Sequence, residues 1–289
     1  YNHTAKGVDP LGPDNVLLIS CGLLTATCAS ATTRTHVMAK SALTGFLGST
    51  NMGGFFAPEL AWAGFHHLVI RGKAEKPVYL FIHDGEIEIR DAKNIWGKST
   101  TETQWAIREE LADPEIKSLV IGPAGENLVR FANVMTGIKN AGGRTGMGCI
   151  MGSKNLKAIS VRGTGHVKVA RPRDLVEASF KIRKHLRSKS AGVIPPYGGP
   201  GGLYGGDPKI LTGYVKRLDA CFGCQVTCRG YFDVPGITKG QAQCVQLQMY
   251  FNWEGVGPVA PPHPDFADRQ QDETTWYGVK LADHLTINS

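Results

Sequence analysis

With 289 residues, 42% of them hydrophobic, the chain can bury a real core, and its length favours about two domains. It has no run approaching the ~20 apolar residues of a membrane span, and residues 1–10 lack the basic flank and apolar stretch of a secretory leader, so a soluble, cytoplasmic protein is expected. The net charge of +7 is spread along the chain rather than gathered into a patch interleaved with aromatics, which argues against nucleic acid as a partner.

Short β-branched runs cut by glycine predict strands over 15–20, 35–40, 67–71, 118–122 and 157–162. Two more, 78–82 and 86–90, flank Asp84-Gly85, whose tolerance of positive φ suits a hairpin turn. One helix interrupts them over 100–111, with Ser99 and Glu102 spaced for a capping box. After Arg171-Pro172 the texture changes. Asp174 and Glu177 open a helix to about residue 187, with Leu175, Phe180 and Leu186 marking one side and the basic cluster 181–189 a solvated face. The Gly/Pro-rich segments 192–207 and 255–264 read as loops, and a last helix is expected over 273–285. The expectation is an α+β chain, β-rich over 1–170 and turning helical over 171–289.

Seven cysteines do not form a disulfide framework here, because Cys221, Cys224 and Cys228 crowd together while Cys21, Cys28, Cys149 and Cys244 are scattered. The run Cys-Phe-Gly-Cys-Gln-Val-Thr-Cys can turn three thiolates onto one center, and Gly223 lets backbone N–H groups approach sulfur. A [4Fe–4S] cluster needs four ligands, so a fourth would come from elsewhere. Structural zinc is the competing reading, but no second CxxC or close His pair accompanies the run.

Glycine, at 36 residues, exceeds the usual ~7% share and sits in short groups beside polar residues, as where backbone approaches a ligand closely. The segment from Asn140 through Gly143-Arg144 and Gly146 to Lys154 and Lys157 joins such glycines to amide donors and cations, a composition suited to phosphate. It matches neither the Walker spacing nor the dinucleotide fingerprint, and a plain glycine turn between strands remains open.

Taken in order, Pro10-Leu-Gly-Pro-Asp-Asn-Val, Asn51-Met-Gly-Gly-Phe-Phe-Ala-Pro-Glu-Leu, Ile121-Gly-Pro-Ala-Gly-Glu-Asn-Leu, Gly143-Arg-Thr-Gly-Met-Gly and Met151-Gly-Ser-Lys-Asn-Leu-Lys-Ala-Ile, followed by the cysteine triplet, resemble the aldehyde ferredoxin oxidoreductase family. The resemblance implies a β-rich N-terminal pterin-binding domain followed by the start of a largely helical domain. It implies a tungsten or molybdenum bis-pterin, magnesium bridging the pterin phosphates, and a [4Fe–4S] cluster on Cys221, Cys224 and Cys228. It further implies two groups of pterin contacts: Arg34, Asn51 and Gly53, then Asn140, Ala141, Gly143 and Arg144, with the Asn51 and Ala141 carbonyls on magnesium, a hard cation that prefers oxygen. Asp283 and Ile287 match a third, ring-binding element, in which Thr286 and Asn288 replace the family's glycine and second aspartate.

Aldehyde-oxidising members of the family carry Gly-Pro-Glu-Tyr-Glu after the triplet, where this chain has Gly240-Gln-Ala-Gln-Cys244, so the usual acid/base carboxylate is missing. Cys244 and His263 are the candidates left for proton handling. The resemblance also implies a longer protein, with an opening strand segment ahead of Tyr1 and, after Ser289, a fourth cluster cysteine and another pterin-contact element; a degenerate paralogue is the alternative. The expected function is two-electron chemistry on a small carbonyl compound, with electrons leaving through ferredoxin or an iron–sulfur subunit and a homodimer possible. The alternatives are an aryl- or enoyl-thioester reductase of the same family and a cofactor-free, zinc-binding paralogue.

Overall fold

The computed structural model describes residues 6–190, 215–224, 229–234, 238–243, 275–276 and 279–280. The chain divides into two compact units, Tyr1–Pro172 together with Ser289, and Arg173–Asn288.

In the first unit β1 (Leu17–Cys21), β2 (Thr35–Lys40), β3 (Leu47–Met52) and β4 (His67–Ile70) form an antiparallel sheet in the order β3-β2-β1-β4. The two-residue period of an extended chain sends Leu17, Ile19, Val37, Ala39, Thr50 and Met52 into the core. The same period leaves Ser20, His36, Ser49 and Asn51 on the other, open face. After β3, α1 (Phe56–Trp62) is buried from Phe56 to Ala61, too short to be stable alone and held by that burial.

A second sheet collects β5 (Val78–His83), β6 (Glu86–Asp91), β7 (Lys117–Val120), β8 (Val134–Thr136), β9 (Asn140–Gly142) and β10 (Leu156–Arg162) in the order β6-β5-β10-β7-β8-β9. Only the β10–β5 pairing is parallel. The central strand β10 is buried from Leu156 to Val161 and satisfies its Ser160 hydroxyl against Ser118 at 2.8 Å. Asp84 (φ 40°) and Gly85 (φ 94°) make the expected hairpin turn between β5 and β6. Helix α2 (Thr100–Glu110) carries the expected capping box of Ser99 and Glu102. Two further helices, α3 (Pro123–Glu126) and α4 (Met147–Ser153), make four among the described residues of the first unit, where the sequence predicted one. One core joins the sheets: Leu17, Val37 and Met52 share it with Phe56 and Leu60 of α1, Ile150 and Met151 of α4, and Leu119 and Ile159 of the second sheet. Each large side chain buried there contributes about 1.5–3 kcal/mol before entropy is counted.

In the second unit α5 (Pro172–Ser190) is followed by β11 (Val215–Asp219), β12 (Arg229–Val234) and β13 (Thr238–Gln243), an antiparallel sheet. On α5 Ser179 is buried with Leu175 and Arg183 half-buried, a four-residue stripe, whereas Phe180 is 64% exposed. Five residues turn a helix by about 140° relative to one face, so Leu175 and Phe180 do not share a side. The helix expected over 273–285 is overturned where it is described: β14 (Thr275–Trp276) and β15 (Val279–Lys280) pair antiparallel. Thr275, Trp276 and Val279 favour strands, and Gly278 weakens a helix. The α+β class with a β-rich first part is as the sequence predicted. No described helix is long and apolar enough to cross a membrane.

Candidate functional site

The open face of the first sheet starts the site. Arg34, exposed, lies one residue before β2, whose outward residue His36 faces Asn51 of β3 across the pair. His36 Nδ1 and Asn51 Oδ1 are 2.7 Å apart. The Thr33 hydroxyl donates to the Gly54 carbonyl, fixing the chain just past β3. Gly54 takes a left-handed φ of 111°, and a Cβ there would sit 3.2 Å from Asn140 Oδ1. Arg34 also borders an open depression of about 380 Å³ lined by Leu23, Leu24, Thr25 and Thr32.

The second group is brought alongside by the approach of two edge strands, β3 of the first sheet and β9 of the second. Gly142 makes this possible, since a Cβ there would lie 2.6 Å from Met52 Cε and 2.6 Å from Val134 Cγ2. The loop after β9 is then tied down by Thr145, whose hydroxyl donates to Ser49 O at 3.2 Å and whose carbonyl accepts from Ser41 Oγ at 2.8 Å. Asn140 is buried, Ala141 half-buried, and Gly143 and Arg144 are exposed, with the Asn133 side chain 3.8 Å from where a Cβ on Gly143 would sit. The strand that carries Asn51 thereby meets the strand that carries Asn140 and Ala141 at one seam, with Gly53 just after β3, Gly143 and Arg144 just after β9, and Arg34 just ahead of β2.

Not every cation of the glycine-rich segment faces that seam. Lys154 is buried with its ammonium on Pro13 O (3.2 Å) and Gly72 O (2.9 Å), and Lys157 is buried against Lys98 O and Glu126. Burial pushes both ammonium groups down from the ordinary lysine range. They are structural cations, not phosphate ligands. Lys139, beside Asn140, is likewise buried and pushed down by burial. His36 and Thr145 were not singled out from the sequence; alternation placed His36 two residues from Arg34, and that spacing is the signal that could have found it.

In the second unit Cys221 and Cys224 follow β11, both half-buried. The Cys224 N–H donates to Cys221 O at 3.0 Å and Gly223 has φ 63°, the tight turn the CxxC spacing requires. Cys228, Cys244, His263, Asp283 and Ile287 lie outside the described residues. Among the described residues, no group of three His, Cys, Asp or Glu side chains is placed to hold a metal.

The donors at the seam suit an anionic, phosphate-bearing group with a hard cation. Arg34 and Arg144 are exposed guanidinium groups that no carboxylate pairs with among the described residues. Asn51 lies on β3 and Ala141 on β9, two strands in contact, and backbone carbonyl oxygen is what magnesium takes. Residues 1–163 match the family model described as "Aldehyde ferredoxin oxidoreductase, N-terminal domain". The chain belongs to the aldehyde ferredoxin oxidoreductase family. A tungsten-containing aldehyde ferredoxin oxidoreductase of Pyrococcus furiosus is 48% identical over 81% of this chain and 43% of its own length, and one of Pyrococcus abyssi is 41% identical over the same shares. The chain thus spans under half the length of these curated relatives. The WOR-like subunit of an aliphatic sulfonate oxidoreductase of Pyrococcus furiosus is 39% identical over 55% of the chain and 27% of its own length. Among solved structures, the active-site complex BamBC of benzoyl coenzyme A reductase with 1,5-dienoyl-CoA superposes with a TM-score of 0.78 at 28% identity, over 97% of this chain and 47% of that one.

Proposed function

We propose that the chain is the front and middle part of a tungsten- or molybdenum-pterin oxidoreductase acting on a small carbonyl compound. The observation that supports this is the approach of β3, which carries Asn51 and leads into Gly53, to β9, which carries Asn140 and Ala141 and leads into Gly143 and Arg144, in a chain of this family. Arg34 and Arg144 would grip pterin phosphates, and the Asn51 and Ala141 carbonyls would hold the magnesium that joins them. Asp283 and Ile287 would contact a pterin ring. Cys221, Cys224 and Cys228 would bind three corners of a [4Fe–4S] cluster. When bound, the pterin metal supplies the two-electron step and the cluster relays single electrons to ferredoxin or an iron–sulfur subunit. The protein's own share is to orient and hold these groups in the cytoplasm, as a monomer or homodimer.

The test is elemental analysis and electron paramagnetic resonance of the full-length protein. Tungsten or molybdenum with pterin and iron is expected. Zinc alone would overturn the proposal and favour the cofactor-free paralogue.

A second reading, reduction of an aryl or enoyl thioester, is favoured by one specific observation. The sequence Gly240–Cys244 has no carboxylate where aldehyde-oxidising members carry two, Ala242 and Cys244 standing at those positions. The likeness to a benzoyl coenzyme A reductase complex points the same way. Assaying aldehyde oxidation beside thioester reduction separates the readings, and turnover of aldehydes alone would remove the second.

A further inference from the structure

We propose that His36 is a positioning residue of the cofactor seam: it holds the Asn51 side chain down on the sheet and so fixes the backbone of residues 51–54 for the group they bind. The inference rests on the pterin reading above and adds a residue that the family motifs do not mark.

On the open face the antiparallel register lines up Asn51, His36, Ser20 and His67, one from each strand from β3 to β4. The neighbouring row, Ser49, Met38, Leu18 and Val69, is mostly apolar. Within the polar row the His36–Asn51 contact closes to 2.7 Å. An amide oxygen can only accept, so His36 Nδ1 carries the shared proton and donates it. That assignment follows from the bonding pattern. The Asn51 amide nitrogen is left directed away from the bond, with His36 occupying its oxygen.

The need for such a clamp follows from where Asn51 lies. β3 is an edge strand and ends at Met52, so one side of its backbone has no ladder partner in its own sheet, and strand ends fray. The segment is held from three directions. Beneath it, Met52 is buried and packs against the position of Gly142. Beyond it, the Thr33 hydroxyl binds Gly54 O. Above it, on the open face where Arg34 also stands, the His36 ring holds the Asn51 side chain among the described residues. Thr33, just ahead of β2, and His36, within it, thus fasten both ends of residues 51–54 from opposite faces.

An exposed cross-strand pair matters little for folding, so a positioning role and a structural one give different readouts. The experiment uses full-length protein purified from cells supplied with tungstate, measuring tungsten and released pterin per polypeptide, their loss on prolonged dialysis, and the thermal midpoint. Supporting groups behind a ligand typically set retention by about tenfold or more, so His36→Ala should lose tungsten and pterin about tenfold faster with its midpoint nearly unchanged. His36→Gln keeps an N–H donor and should recover most of the retention. The double variant with Asn51→Ala should lose no more than Asn51→Ala alone, because His36 acts through Asn51. Wild-type retention in His36→Ala would overturn the inference while leaving the pterin reading intact. Additive losses in the double variant, or no recovery with His36→Gln, would overturn it in favour of direct contact by the ring. Wild-type protein without tungsten or molybdenum would overturn the pterin reading, and this inference with it.

Discussion

Lys157 lies wholly inside the second sheet, its ammonium on Glu126 and, at 2.8 Å, on Lys98 O. Glu126 also accepts the Gly97 N–H at 3.0 and 2.9 Å, so strand β10, helix α3 and the loop before α2 meet at one buried ion pair. Burial drives the Lys157 pKa down and the Glu126 carboxylate partly offsets that. Removing one partner leaves the other charge buried without compensation, so Lys157→Met should cost about 3–5 kcal/mol, seen as a lowered urea midpoint. Replacing both partners by apolar residues of like volume should cost less than either single change. The sequence displayed Lys157 only as one cation in a glycine-rich run. Nothing local distinguishes a lysine that grips phosphate from one that caps a buried carboxylate 31 residues away.

At the level of elements, the contact of α3 with α4 is made backbone to backbone. A Cβ on Gly152 would lie 1.9 Å from Gly125 O, and one on Gly125 would lie 2.9 Å from Gly148 O. Gly152→Ala should therefore push the two helices apart and destabilise the first unit by about 1–3 kcal/mol, an overpacking effect measurable as a drop in the thermal midpoint. Loss of pterin should accompany it, because α4 begins where the Arg144 loop ends. Strands with a clean two-residue alternation, such as β2, were legible, as was α2 with its capping box. The short helices α1, α3 and α4 were not, because one or two turns give no measurable periodicity and tertiary burial holds them. β3 and β9 escaped for a related reason: glycine, asparagine and serine are poor strand formers, and their partners decide their state.

For the whole molecule, the pterin contacts named at the seam belong to the first compact unit and the paired cysteines to the second. Tungsten and iron should therefore be lost separately. Arg144→Ala is expected to lower tungsten severalfold while iron stays, and Cys224→Ser to lower iron and abolish the cluster signal; elemental analysis with electron paramagnetic resonance reads both. The sequence by itself determined the family, the β-rich α+β class, the Asp84-Gly85 hairpin and the CxxC turn, because each is written in neighbouring residues or in an ordered set of motifs. Only the tertiary structure decided that Asn51 and Ala141 share a seam, that Lys154 and Lys157 turn inward, and that His36 fastens Asn51. Those outcomes join residues far apart in the chain. They are set by which faces must be buried and which backbone groups must be paired, conditions that no short stretch of sequence states.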